Sequence, residues 1–181
     1  MSRGQLLDAL ARHGVMLNVH AETLLAHPVF DDTTIERIRL LDRSVDELGL
    51  THGATMPEVL TAAHGQGLGP CPAVTGPYLR LAWLDQRSST DSVMSAGRSP
   101  DGALTVASVA LSDDADFPRG FYLRVVEGRP WLRGFRCDDD HVFAPEARFA
   151  FRQLDEVARG HLHAARKITT SRASSSPIDR A

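Results

Sequence analysis

The sequence predicts an α+β domain, with N-terminal helices packed on an antiparallel sheet of about five strands. Three observations carry that reading. Residues before Gly65 show helix caps and apolar residues at helical spacing. Residues after Gln86 show β-branched and aromatic runs joined by polar turns, with no helical pattern between them. Between the two lies Gly65–Gln86, GQGLGPCPAVTGPYLRLAWLDQ, where a helix should stop, a stiff Gly/Pro passage holds Cys71, and a strand should begin.

Taken in order, Gln5–His13 places Leu6, Leu7 and Leu10 on one helical face, and Gly14 supplies a stop. Asn18 is placed to cap a second helix carrying Ala21, Leu24 and Leu25, which Pro28 ends. Ser44-x-x-Glu47 is a capping box that starts a short helix at Val45, closes at Gly49 and leaves Ile35–Asp42 extended. Thr55-x-x-Glu58, with Pro57 in the first turn, opens a helix carrying Val59, Leu60, Ala62 and Ala63. From Tyr78 to Leu84 apolar residues fall on both parities, which suggests a strand covered on both faces, with Trp83 in its core. Arg87–Asp101 is rich in Ser, Gly and charge and reads as an exposed loop. Ala103–Leu111 is a strand candidate. Phe121–Val126 and Trp131–Arg136 flank Glu127-Gly128-Arg129-Pro130 as a hairpin, with Trp131 expected in the core. Arg148–Gln153 is the last strand. Residues 1–153 thus form one α+β domain, 154–166 a weak C-terminal helix and 167–181 a disordered tail.

Composition sets the limits of function. At 181 residues the chain can bury one real core. A net charge of −3 gives no global pull toward nucleic acid or anionic membrane. No apolar run approaches the ~18 residues of a spanning helix. Asp8 and Arg12 interrupt the first apolar segment, so it does not read as a signal peptide. Two cysteines, Cys71 and Cys137, are too few for a disulfide scaffold, and a reduced cytoplasmic setting is expected.

Gly67-Leu68-Gly69-Pro70-Cys71-Pro72, then Gly76-Pro77-Tyr78-Leu79-Arg80-Leu81 and Asp85-Gln86, form a pattern that resembles a group of uncharacterised bacterial proteins. Val45–Gly49 before it, and Trp131-Leu132 and Phe149–Phe151 after it, extend the resemblance over residues 5–153. The resemblance implies one domain ending near Gln153 and carries no catalytic residue with it.

Several constellations carry possible chemistry. Cys71, with His64 or another histidine as base, is a candidate nucleophile, but it follows a helix C-terminus, the wrong end of the dipole for a thiolate. The competing reading is a small packed thiol. Cys137-Asp138-Asp139-Asp140-His141 gathers metal-type ligands, yet zinc needs about four in tetrahedral array, and a solvated acidic loop explains the run equally. Asp113, Asp114 and Asp116 with Asp138–Asp140 make an acidic rim only if their loops converge. Ser44–Leu48 and Thr55–His64 have helix-turn-helix spacing, but Thr55–His64 holds no Arg or Lys, which disfavours a DNA-binding regulator.

The densest set of binding-type side chains lies on the hairpin. Arg124, Arg133 and Arg136 interleave there with Tyr122, Trp131 and Phe135, a pattern suited to an anion or acidic peptide through bidentate and cation–π contacts. The bland alternative is surface pairing with nearby aspartates. The function expected from sequence is a cytoplasmic, non-catalytic binding protein using Tyr122, Arg124, Arg133 and Arg136. Its partner would be a protein or a small anionic ligand, with no cofactor, metal, membrane or nucleic acid expected. The alternative class is a hydrolase or transferase using Cys71 or the acidic loops.

Overall fold

The computed structural model describes residues 1–89 and 102–154. Most of the expected 87–101 loop, nearly all of the C-terminal helix and the whole tail lie outside the described residues. Helix α1 spans Arg3–Arg12, starting two residues early because Ser2 and Gln5 form a reciprocal capping box. Strand β1 (Met16–Leu17) leads to α2 (Val19–Leu25), where Asn18 Oδ1 accepts the Ala21 N–H at 3.0 Å. A 3-10 turn over Pro28–Asp31 and an exposed segment lead to β2 (Leu40–Ser44), so Ile35–Asp42 is strand only from Leu40. The Ser44 box forms as read: Glu47 accepts the Ser44 N–H at 2.7 Å, Ser44 Oγ accepts the Glu47 N–H at 3.1 Å, and Gly49 closes the turn at φ 90°.

Next come β3 (Ala54–Thr55) and α3 (Met56–Gly65), the latter opened by the Thr55/Glu58 box. Then follow β4 (Leu68–Gly69) and α4 (Thr75–Ala82). This last element corrects the sequence reading, which placed a strand from Tyr78. A run of seven residues with apolar groups on both parities fits a helix as well as a strand. Pro77 is compatible with the helix, because a first-turn position needs no N–H partner. The remaining strands are β5 (Leu104–Val106), β6 (Gly120–Val126), β7 (Arg129–Phe135), β8 (Val142–Phe143) and β9 (Arg148–Gln153). The hairpin loop is tighter than expected: Val126 pairs with Arg129, and Glu127 and Gly128 take φ 51° and 72°. Two consecutive positive φ values give a turn whose twist matches the strands.

Among the described residues the main sheet has seven strands, in order β1-β7-β6-β5-β9-β2, with β4 beside β9. It is mixed: β1–β7 and β5–β9 are parallel, and the other pairs antiparallel. Both points correct the expected five-stranded antiparallel sheet. Two-residue strands such as β1 and β4 are too short to show a period in sequence, and pairing direction depends on how the chain returns. The β3–β8 pair forms a separate small sheet.

The register separates two faces. Leu104 and Leu123 pair on one; Thr105 stands opposite both Tyr122 and Phe149 on the other. On the first face Leu6 and Leu10 of α1, Leu24 and Leu25 of α2, and Cys71 meet Phe121, Leu123 and Leu132. On the second, Met56, Val59 and Ala63 of α3 meet Phe149 and Phe151. The helices are therefore distributed over both faces. A fully buried phenylalanine contributes about 2–3 kcal/mol, so Phe121, Phe149 and Phe151 anchor the two layers. Trp83 and Trp131, expected in the core, are only half-buried. Trp83 ends a helix, and Trp131 lies in the strand paired with the edge strand β1.

Candidate functional site

Helix α4 has two working faces. Gly76, Pro77 and Arg80 are buried toward the sheet. A side chain at Gly76 would start 2.8 Å from the Phe121 ring, so glycine sets how closely α4 approaches β6. The other face, Thr75, Tyr78, Leu79 and Ala82 at i, i+3, i+4 and i+7, borders a groove of about 610 Å³. Its opposite wall is the irregular stretch after the Pro28–Asp31 turn, with Ile35 and Ile38, together with Leu40, the first residue of β2. Ile35 is 94% exposed. The Met1 amino group donates to the Tyr78 hydroxyl at 3.3 Å at one side of the groove.

The groove is mainly apolar, and its charged lining groups are the Asp32 and Glu36 carboxylates and the Met1 ammonium. Asp32 Oδ1 accepts the Thr34 N–H at 2.8 Å, and hydrogen bonding to Thr34 holds its carboxyl below the usual range. Glu36 lies 3.7 Å from Arg152 Nη1 of β9. A volume of this size falls among ligand pockets, and apolar walls with a few polar groups are their usual lining.

The hairpin residues part company. Cross-strand pairs Tyr122–Arg133 and Arg124–Trp131 put those four side chains on one face of the sheet. Tyr122 and Arg124 are 4% and 1% exposed. Burial raises the Tyr122 pKa against the opposing pull of the nearby Arg133 and Arg124 charges, and the Arg133 guanidinium lies 5.0 Å from the Trp131 ring centroid. Arg124 donates to Ser89 Oγ at 3.4 Å. Arg136 has the other parity from Arg133 and is ion-paired with Asp116. The face thus gathers Tyr122, Arg124 and Arg133 and leaves Arg136 outside.

The acidic loops do converge on the Gly120/Phe135 end of the hairpin. There Arg136 engages Asp116, and Arg119 engages Asp139 at 2.8 Å. The Asp114 carboxylate accepts the Asp116 N–H at 2.9 Å, which is turn chemistry. His141 stacks edge-on against Phe143 with centroids 4.7 Å apart. Among the described residues no group of three or more His, Cys, Asp or Glu is placed to hold a metal ion.

Cys71 is 3% exposed, and its N–H is bound to Ala107 O at 2.6 Å. The thiol donates to Ala150 O at 3.5 Å. Burial pushes its pKa up to about 12, overriding the opposing pull of Arg152 and Thr75. His64 is exposed at the end of α3, while Cys71 belongs to the core on the other face of the sheet.

Two features escaped the sequence reading. The groove joins α4, taken there as a strand, to a segment nearly 40 residues earlier. The Thr75/Tyr78/Leu79/Ala82 spacing was its one available signal. The second feature is Arg80, fully buried, with Nη1 donating to Gln86 Oε1 at 2.6 Å and burial lowering its pKa. Gln86 Nε2 in turn donates to Gly102 O at 2.8 Å. Among the described residues Arg80 Nε and Nη2 have no hydrogen-bond partner. No protein-family model, curated protein or solved structure matches this chain.

Proposed function

We propose that this chain is a non-catalytic binding protein whose groove beside α4 seats a short apolar peptide segment flanked by positive charge. The observation that carries the reading is the groove itself: aliphatic walls from Ile35, Ile38, Leu40 and Leu79, with Asp32 and Glu36 as its acidic residues. Apolar anchors would supply the affinity, and the two carboxylates would favour basic flanks. A buried, protonated Cys71 supports a binding role over thiol catalysis. The arginines of the hairpin serve this reading as supports of the sheet, since Tyr122 and Arg124 are buried and Arg136 is already paired. Free Cys71 and Cys137 fit a reducing compartment such as the cytoplasm.

Fluorescence anisotropy with three labelled amphipathic peptides, basic, acidic and purely polar, tests the reading. The basic apolar peptide should bind best and weaken as salt rises. Ile35→Glu, on an exposed loop, should lower its affinity at least tenfold without loss of folding. Equal binding of all three peptides, or unchanged binding to Ile35→Glu, would refute the proposal.

A further inference from the structure

Resting on that reading of the groove, we infer that its occupant is a second copy of this chain, docked about a two-fold axis through the stretch Asp32–Asp42. Strand β2 is an edge of the main sheet. Gln153 donates its N–H to Arg39 O at 2.8 Å, and Val45 donates to Ala147 O at 3.0 Å, so the odd-numbered residues of β2 bond β9. The N–H and C=O of Leu40, Asp42 and Ser44 turn the other way. Glu47 takes the Ser44 N–H at 2.7 Å, and Asp42 O accepts Arg43 Nη1 at 2.8 Å. Leu40 N–H and C=O and Asp42 N–H have no partner among the described residues. Such an edge is a template for a further strand.

Upstream of β2 the chain supplies both halves of an apolar contact. Residues 32–39 are neither helix nor strand, and all but Ile38 are exposed. Ile35 stands 94% exposed at the rim, while Ile38 and Leu40 line the hollow facing Tyr78 and Leu79 of α4. A patch that carries a knob and a hollow together is self-complementary, which a two-fold interface requires.

The charges of the patch are self-complementary too. From Asp32 to Leu40 two acids, Asp32 and Glu36, stand with two arginines, Arg37 and Arg39. Glu36 lies 3.7 Å from Arg152, and Arg39 Nη1 donates to Gln153 Oε1 at 3.4 Å. Arg37 is exposed and joins no ion pair among the described residues. In the groove lining two carboxylates stand against the one Met1 ammonium. The run Ile35-Glu36-Arg37-Ile38-Arg39 has two aliphatic and two basic residues with one acid, so in a second copy it matches an apolar groove of acidic balance.

Sedimentation equilibrium of the full chain over about 1–300 µM, with hydrogen exchange at the same concentrations, tests the inference. Wild type should dimerise with a Kd below about 100 µM. The Leu40 and Asp42 amides should gain about fivefold or more protection as the dimer forms, while the Leu41 and Arg43 amides, bonded to β9, stay protected throughout. Ile35→Glu should raise the Kd about tenfold or more, and Arg37→Glu about threefold, the latter deficit vanishing near 1 M salt. Both side chains are exposed, so both variants should fold. A synthetic peptide of residues 33–41 should return the wild-type dimer to monomer. A dimer whose Kd ignores Ile35→Glu, or whose Leu40 and Asp42 amides exchange as in the monomer, would use another surface and overturn the inference. A chain that stays monomeric throughout, yet binds the basic apolar peptide through Ile35, would overturn it and leave the groove reading standing with a foreign peptide as occupant. A monomer that binds no peptide would sink both.

Discussion

Replacing Cys71 separates the binding reading from the thiol-enzyme alternative. In the folded chain the thiol sits at about 12 against an ordinary 9.0, because burial penalises the thiolate. At pH 8 the thiolate fraction is then about one in ten thousand, against about one in ten when unfolded, a difference of roughly 1,000-fold in labelling rate. A maleimide or disulfide reagent should thus label native Cys71 very slowly and unfolded Cys71 promptly. Mass spectrometry of the Cys71 peptide distinguishes it from Cys137. The same shift fixes a pH dependence. A folded pKa raised above the unfolded one means stability is whole below about 9 and is lost as pH climbs toward about 12. The loss is at most about 1.4 kcal/mol per pH unit, or about 2 kcal/mol by pH 10.5. Cys71→Ala should lose about 1–2 kcal/mol at pH 7 through the vacated sulfur volume. Its stability should then fall less steeply above pH 9 than wild type, measured by urea unfolding. Rapid native labelling at neutral pH, with an apparent pKa below the ordinary 9.0, would refute the reasoning and favour the enzyme.

Two further substitutions test how the scaffold is held. Gly134→Ala would set a methyl 2.5 Å from the His20 carbonyl carbon and 2.7 Å from Ala21 N. It would also disturb the Asn18 side chain, which exchanges hydrogen bonds of 2.8 and 2.9 Å with the Gly134 backbone. Helix α2 must shift, at about 1–3 kcal/mol or more, so a melting temperature lower by at least ~4 °C is expected. An alanine variant melting as wild type would show that α2 moves freely on β7. Gln86→Leu strips the Arg80 guanidinium of its hydrogen-bond acceptor in the core and should cost about 3–5 kcal/mol by urea unfolding. Adding Arg80→Met should restore most of that loss; a double variant as unstable as the single would mean that Gln86 acts through Gly102 and Leu123 alone.

Local chemistry was legible wherever one residue satisfies its own neighbourhood. Asn18, Ser44 with Glu47, and Thr55 with Glu58 announce helix starts because each side chain meets an N–H within three residues. Glu127-Gly128 announces the hairpin, and Arg148–Gln153 is the strand its pattern indicates. The α+β class follows from these, because caps and alternation are short-range signals. Cys71 was readable as a poor nucleophile from its place after a helix, although Arg152, remote in sequence, turned out to lie close by.

The rest was decided by tertiary contacts that no local pattern encodes. Tyr78–Ala82 became helix because Gly76 lets α4 lie against Phe121, and an apolar run alone suits either state. The parallel β5–β9 pairing depends on where β9 returns, so the sheet's size and mixture were invisible. Strand parity places Arg136 away from Arg133, but whether Tyr122 and Arg124 are covered depends on what packs above them. The groove is the clearest case. Its walls come from α4 and the segment before β2, and a concave surface exists only once separate stretches of chain are brought together by the burial of the sheet's apolar face.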